Sequence, residues 1–273
     1  MSESANPTNA ELLRVINGSG FPLQIALQNA VESSAPGWRI SHREHAWSNP
    51  SDGQRGFIDF VVQNAETSDS VVVECKRVQN SSWLFLGHSG SSKPTEIFNT
   101  WVTVYPEARA PYFGWVDLCV PVPTPEAQFC CLRGQSSNDK NTFLERLGAE
   151  LVSSTEALAS EEREYRDETE GPCRLYFNVI ATTASLYFAE FDKQSLNLND
   201  GTLENATFHP VPYLRVRKQF AMKAAPLTPE DYHRGRDPDV LRENSVFVVE
   251  AQHFTSLLQA LKVSKINVRG IGR

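Results

Sequence analysis

Two neighbouring stretches decide the expected fold, GFIDFVV (56–62) and SVVVECKRV (70–78). Both are rich in β-branched and aromatic residues, and the segment between them is short and polar, a pattern that predicts a β-hairpin. Charged residues interrupt these apolar strands, namely Asp59 in the first strand and Glu74 and Lys76 in the second. Because a charge buried in a strand is costly unless it is paired or binds a metal ion, these three residues mark a candidate site.

The expected register of the hairpin brings the two carboxylates together. If the strands pair symmetrically about the middle of 63–70, Asp59 lies directly opposite Glu74, with Cβ atoms about 5 Å apart. Two carboxylates at that distance repel each other unless a divalent cation lies between them. Lys76 is one diagonal step away, where its ammonium group can orient a water molecule. Such a set of groups is suited to phosphodiester hydrolysis, although a bulge in the turn would change the register.

Asp59, followed after fourteen residues by Glu74-Cys75-Lys76, resembles the signature of the PD-(D/E)xK nuclease superfamily, with Ile58 where that signature has proline. The resemblance implies an α/β fold with a restriction-endonuclease-like three-layer core, in which helices flank a mixed central sheet. It also implies that Asp59, Glu74 and the backbone carbonyl of Cys75 bind Mg²⁺, for which Mn²⁺ can substitute. Lys76 would then position or activate the attacking water.

The helix expected over 21–34 precedes the hairpin and carries Glu32. By the same resemblance, Glu32 would hold a metal-bound water or a second ion, but an exposed position near the end of the helix explains this residue equally well. Gln24 and Gln28 share its helical face and could line the site, although glutamines in contact with solvent are an equally good interpretation.

The predicted order of elements is similar to that of the family core. It comprises a helix at 21–34, strands at 38–47, 56–62 and 70–78, a long helix at 139–166 and a strand at 175–182. We expect one nuclease-like domain over 1–273, with its core at 21–78 and 139–192, an insertion at 79–138 and a C-terminal elaboration at 193–273. Within the insertion, EIFNTWV (96–102) predicts a short helix, and WVDLCVPVP (115–123) and AQFCCLRG (127–134) predict a pair of strands. Residues 1–10 are expected to be a frayed, polar start.

The charge of the chain argues against binding nucleic acid by bulk attraction, since 33 Asp and Glu outnumber 26 Lys and Arg, for a net charge of −7. The basic residues are concentrated towards the C-terminus. In YLRVRK (213–218), strand alternation predicts that Leu214 and Val216 face inward and that Arg215 and Arg217 face outward. Together with Lys218 and Arg77, these arginines are candidate substrate-binding residues that could contact phosphates. A solvated strand face explains the pattern equally well.

The sequence therefore predicts a Mg²⁺-dependent endonuclease that acts on nucleic acid, DNA in preference to RNA. Five cysteines without a CxxC pair indicate reduced thiols in the cytoplasm, and no apolar run is long enough to cross a membrane. By analogy, such a protein fits a component of a prokaryotic antiviral defence or DNA-processing system. A protein partner would supply recognition or motor function, and a homodimer is also compatible with the sequence.

Other interpretations remain open at this point. The fold could be retained as a catalytically inactive binding or assembly module. WLFLGHSGSS (83–92) suggests a hydrolase that uses Ser89, but it lacks the glycine that a nucleophile elbow needs two residues after the serine. His42 and His45 are three residues apart on an expected strand, which predicts that they lie on opposite faces.

Overall fold

The computed structural model describes residues 6–49, 53–67, 69–87, 94–104, 112–133, 143–164, 173–220, 242–261 and 263. The N-terminal half contains helices α1 (Asn9–Gly18) and α2 (Phe21–Ser34), followed by strands β1 (Trp38–Ser48), β2 (Arg55–Asn64), β3 (Ser70–Lys76), β4 (Ser82–Leu86), β5 (Thr95–Val104), β6 (Tyr112–Thr124), β7 (Glu126–Ala127) and β8 (Phe129–Arg133). The C-terminal half contains α3 (Phe143–Glu164), β9 (Cys173–Thr182), β10 (Ser185–Glu190), β11 (Thr207–Pro210), β12 (Tyr213–Lys218), β13 (Asn244–Glu250) and α4 (Phe254–Ala260).

The central sheet is mixed, with strand order β1-β2-β3-β9-β13-β12-β7. Strands β1, β2 and β3 pair in antiparallel fashion, whereas β3 and β13 both run parallel to β9. The first residues of β9 also pair with β5, which forms a long antiparallel hairpin with β6. A second sheet has the order β11-β10-β4-β8. Segment 79–138 therefore contributes strands to both sheets.

Two local expectations for this segment are wrong. EIFNTWV lies in strand β5 and not in a helix, because its backbone pairs with β6 from Ile97 onward and its last two residues also pair with β9. The two strands expected to pair with each other instead belong to different sheets, since β6 pairs with β5 and β8 pairs with β4.

Of the frayed start expected for residues 1–10, residues 1–5 lie outside the described residues, 6–8 have no regular structure, and only 9 and 10 differ because they begin helix α1. Thr8 and Glu11 form a capping box at the beginning of α1, in which the Glu11 carboxylate accepts from the Thr8 backbone N–H at 2.7 Å.

Helices pack on both faces of the central sheet, as the three-layer α/β prediction requires. On one face, α2 and α4 cover Val71 and Val73 of β3. On the other face, α3 packs against Val61 and Val72 and against apolar residues of the second sheet. The apolar stripe of α3 that packs against the sheet includes the buried leucines Leu144, Leu147, Leu151 and Leu158. No helix in the described part of the chain is both long and apolar enough to cross a membrane.

Candidate functional site

The hairpin of β2 and β3 has the symmetric register expected from its sequence, and its last regular pair is Phe60 and Val73. Continued by one residue, this register places Asp59 opposite Glu74. The side chain of Asp59 changes the pattern at this point, because its Oδ2 accepts a hydrogen bond from the backbone N–H of Cys75 at 2.6 Å. A carboxylate thus replaces a backbone carbonyl as the partner of that N–H, and the ladder between the strands ends at the candidate site.

Strand β2 departs from regular alternation at the same place. Ile58 and Val61 both belong to the core beneath α3, whereas Phe60 belongs to the core beneath α2. In a regular strand, residues three apart would point to opposite faces. Asp59 lies within this irregular stretch, so its backbone needs support from outside the strand.

Helix α2 supplies that support through Gln24. This buried side chain donates from Nε2 to the backbone oxygen of Asp59 at 2.7 Å. Asp59 is therefore held at its carbonyl by α2 and at its carboxylate by β3. Gln24 is therefore buried against the backbone of Asp59, and the interpretation of this glutamine as a residue in contact with solvent is wrong.

A pocket of about 410 Å³ opens between β2, β3 and α3 at the end of the ladder. The residues that line it include Asp59 and Glu74, together with Arg55, Phe57 and Glu150. Glu150 was not predicted from the sequence as a site residue. The available signal was its place in α3 directly before Leu151, at the edge of the apolar stripe that faces the sheet.

The electrostatics of the pocket disfavour two charged carboxylates. Burial, reinforced by the neighbouring Asp59 carboxylate, raises the pKa of Glu74 to about 8, whereas the Lys76 ammonium acts in the opposite direction. Burial also raises the pKa of Asp59, although the hydrogen bond from Cys75 and the charge of Lys76 oppose this shift. A cation between the two groups would relieve their repulsion.

Lys76 lies at the end of β3, two residues after Glu74 and on the same face of the strand. Its backbone oxygen accepts from Oγ1 of Thr182 at 2.8 Å, and its Nζ is 5.3 Å from the centre of the Phe143 ring. The ammonium group therefore lies near the start of α3, and its charge opposes the rise that burial causes in the pKa of both Asp59 and Glu74.

The donor atoms present fit a hard divalent cation. Mg²⁺ is usually bound by one or two carboxylates with water completing its shell, and Asp59, Glu74 and the Cys75 carbonyl are all oxygen donors of this kind. Within the described ranges, no group of three or more His, Cys, Asp or Glu side chains could hold a metal ion. Oxygen donors of the kind found at Asp59, Glu74 and the Cys75 carbonyl suit Mg²⁺ or Mn²⁺ better than zinc, which structural sites bind mainly through nitrogen and sulfur.

Glu32 has a different position from the one that its predicted metal role requires. It forms an ion pair with Arg43 of β1, with 2.5 Å between Oε1 and Nη2, and about half of its side chain is exposed. It lies eight residues beyond Gln24, or about 12 Å further along the helix. The α2 side chain that contacts the hairpin is Gln24, so the structure favours the exposed interpretation of Glu32.

The expected outward orientation of Arg215 and Arg217 is wrong. Leu214 and Val216 do pack towards α3, but the opposite face of β12 is covered by the β5–β6 hairpin, so the strand is buried on both faces. The guanidinium of Arg215 is fully buried and donates to the backbone oxygens of Ile97 and Val122 and to Oγ1 of Thr124.

The neighbouring basic residues of β12 also have partners within the protein. Arg217 forms ion pairs with Asp117 and Glu243, each with 3.0 Å between nitrogen and oxygen. Lys218 pairs with Glu145 of α3 at 2.5 Å. Strand β12 therefore offers no exposed arginine pair to a phosphate backbone. Arg77 is half-buried at the end of β3, and its phosphate contact stays a prediction.

The expectation that His42 and His45 lie on opposite faces is also wrong, since their ring centres are 4.6 Å apart. The pairing register of β1 with β2 shifts between Ile40 and His42, and the backbone of Glu44 has a left-handed φ of 45°. These irregularities rotate β1 so that both rings reach the same side, where Nε2 of His45 is 2.9 Å from a carboxylate oxygen of Glu161. Ser89 lies outside the described residues.

No protein-family model matches this chain, and neither a curated protein nor a solved structure shows significant similarity to it. The geometry and chemistry of the β2–β3 hairpin and its pocket are therefore the basis for assigning a function to this protein.

Proposed function

We propose that this protein is a metal-dependent nuclease of the PD-(D/E)xK type, with a restriction-endonuclease-like version of the three-layer fold. The observation that carries the proposal is that Asp59 and Glu74 line the same pocket where the β2–β3 ladder ends, close enough for their charges to interact. Asp59, Glu74 and the Cys75 carbonyl would hold Mg²⁺ or Mn²⁺. A bound cation of this kind polarises a phosphodiester for attack by water.

The residues of the chain have distinct roles in this proposal. Lys76 orients the attacking water by hydrogen bonding, since its ammonium lies on the same face of β3 as Glu74. Gln24 and the Cys75 N–H hold Asp59 in place, and the oxygen donors stay aligned as a result. Glu150, across the pocket on α3, adds negative charge that favours a cation at the pair.

The proposed substrate is nucleic acid, and DNA is favoured over RNA. The net charge of −7 and the burial of Arg215 and Arg217 mean that attraction must come from a bound metal, from local groups such as Lys76 or from a partner protein. By analogy, we place the protein in a prokaryotic defence or DNA-processing system. The five cysteines are free thiols, which supports a cytoplasmic location.

A second candidate function is a nuclease-like fold that binds or assembles without cleaving. The raised pKa of Glu74 favours it, because a protonated Glu74 can lie beside Asp59 without any metal ion. The two functions differ in one respect that can be measured, namely whether a divalent cation binds at the hairpin.

The test is cleavage of duplex DNA, single-stranded DNA and RNA by the purified protein in Mg²⁺, Mn²⁺ or EDTA. We expect metal-dependent cleavage that falls by about 100-fold or more in Glu74→Gln and in Lys76→Ala, with unchanged circular dichroism. Glu66→Gln is a matched control, because this exposed acid lies in the turn of the same hairpin.

Calorimetric titration with Mn²⁺ separates the two candidate functions. The nuclease proposal requires binding that Glu74→Gln abolishes and Glu66→Gln preserves. Full activity in both Glu74→Gln and Lys76→Ala would contradict the catalytic assignment. A wild-type protein that neither binds Mn²⁺ nor cleaves any of the three substrates would favour the binding module.

A further inference from the structure

Phe57 exposes an aromatic ring at the mouth of the carboxylate pocket. It lies on β2 two residues before Asp59, it belongs to the pocket lining, and 71 % of its surface is exposed. Burying a phenylalanine side chain normally stabilises a protein by about 1.5–3 kcal/mol, and this ring makes little use of that gain within the chain. Its apolar faces are therefore available to a ligand in the pocket.

The ring is held on a rigid part of the molecule. Phe57 pairs with Ala46 in the β1–β2 ladder, and Ile58 beside it is buried. At the preceding position, a Cβ on Gly56 would lie 3.2 Å from Nε1 of the buried Trp47, so the strand backbone packs closely against that indole. Little conformational freedom of the strand would be lost when a flat ligand stacks on Phe57.

The charges around the pocket indicate which flat ligand fits. Asp59, Glu74 and Glu150 make the lining acidic, and Arg55 is the one cation among the described residues that line it. A duplex is held mainly by many phosphate contacts with basic side chains, which this lining does not provide. Single-strand binding also uses basic contacts to the backbone, but each unpaired base that stacks on an aromatic ring adds about 1–3 kcal/mol, a contribution that a paired base in a duplex does not make.

We propose that Phe57 is a stacking platform for one base of a single-stranded nucleic acid, with Arg55 in contact with an adjoining phosphate. Phe57 and Asp59 are about 7 Å apart along the strand, so one nucleotide can reach from the ring to the carboxylate pair. This inference deepens the proposed nuclease function and rests on it for the fate of the bound strand. It assigns single strands, or unpaired ends, as the substrate class.

Fluorescence anisotropy with labelled oligonucleotides in EDTA tests the platform without cleavage. We expect the full-length protein to bind single-stranded DNA or RNA more tightly than a duplex of equal length. Phe57→Ala should weaken single-strand binding by about 5- to 150-fold, the equivalent of one lost stacked base. Phe57→Trp should preserve it. Phe208→Ala is the matched control, because that phenylalanine is 51 % exposed on β11 of the second sheet.

A strand with a single abasic position identifies the stacked base. At one position of the oligonucleotide, removal of the base should weaken binding to the wild-type protein as much as the Phe57→Ala substitution does. The Phe57→Ala protein should bind this abasic strand as well as it binds the intact strand. The inference is overturned if Phe57→Ala leaves single-strand binding unchanged, if it weakens duplex binding equally, or if no abasic position is coupled to Phe57.

The same variants distinguish failure of this inference from failure of the nuclease proposal. If wild-type protein and Phe57→Ala cleave duplex and single strands equally well in Mg²⁺, the nuclease proposal stands and the stacking platform is overturned. If Phe57-dependent binding of single strands is present without cleavage in Mg²⁺ or Mn²⁺, the platform stands and the nuclease proposal is overturned.

Discussion

The carboxylate of Asp59 and the backbone N–H of Cys75 are joined by a 2.6 Å hydrogen bond across the end of the β2–β3 ladder. The bond gives Asp59 a structural role besides its proposed metal-binding role, because it satisfies an N–H that would otherwise lose its partner. Its second carboxylate oxygen is then the one that can face a cation.

Two substitutions separate these roles of Asp59. Asp59→Asn removes the charge but can still offer an oxygen to Cys75, whereas Asp59→Ala removes both. We expect both variants to lose Mn²⁺ binding in calorimetry. In urea denaturation with EDTA, only Asp59→Ala should lose stability, by about 1–3 kcal/mol. Equal stability of the two variants would contradict the structural role of the hydrogen bond.

The raised pKa of Glu74 predicts how the stability of the metal-free protein depends on pH. Between the ordinary value of 4.5 and about 8, folded Glu74 holds a proton that the unfolded chain releases. The free energy of unfolding should therefore fall as pH rises through this range, by at most about 1.4 kcal/mol per unit. Urea denaturation in EDTA from pH 5 to 9 measures this slope.

Glu74→Gln provides the control for this pH dependence. The variant lacks the titrating group, so its slope should be flatter than that of the wild type, and the two proteins should differ most above pH 8. Saturating Mn²⁺ should also reduce the wild-type slope, because a cation favours the ionised carboxylate. Identical slopes for wild type and Glu74→Gln in EDTA would refute the prediction.

Gln24 should matter more to the site than Glu32, although both lie on α2. Gln24→Ala removes the donor to the Asp59 carbonyl, and we expect Mn²⁺ affinity to fall by about 10-fold, as is typical when a supporting hydrogen bond of a metal ligand is lost. Glu32→Gln breaks only an exposed ion pair with Arg43 and should leave Mn²⁺ affinity unchanged. A larger loss in Glu32→Gln would restore its predicted metal role.

Arg215 should behave as a structural residue. Arg215→Met leaves two backbone carbonyls and a threonine hydroxyl without their buried donor. We therefore expect the free energy of unfolding, measured by urea denaturation, to fall by about 3 kcal/mol or more. Arg215→Lys should be intermediate, because one ammonium cannot reach all three acceptors at once. If Arg215→Met instead kept wild-type stability and lost only nucleic-acid binding, the phosphate-contact role would be correct.

Local pattern was enough to predict the elements that build the candidate site. The helix at 21–34, the strands of the hairpin and the symmetric register as far as Phe60 and Val73 all depend on near neighbours in the chain. When the turn is short, two adjacent strands can pair in few registers. The register of β2 with β3 could therefore be predicted from residues 56–78 alone.

Tertiary packing decided the features that the chain pattern leaves open. Alternation in YLRVRK shows which side chains share a face, but the β5–β6 hairpin determines that the face with Arg215 is buried. Segment 96–102 becomes a strand because it pairs with β6 from Ile97 onward, and its last two residues also pair with β9. Glu150 reaches the pocket only because α3 crosses the sheet beside β3. Residues far apart in sequence supply these contacts, so short-range periodicity carries no information about them.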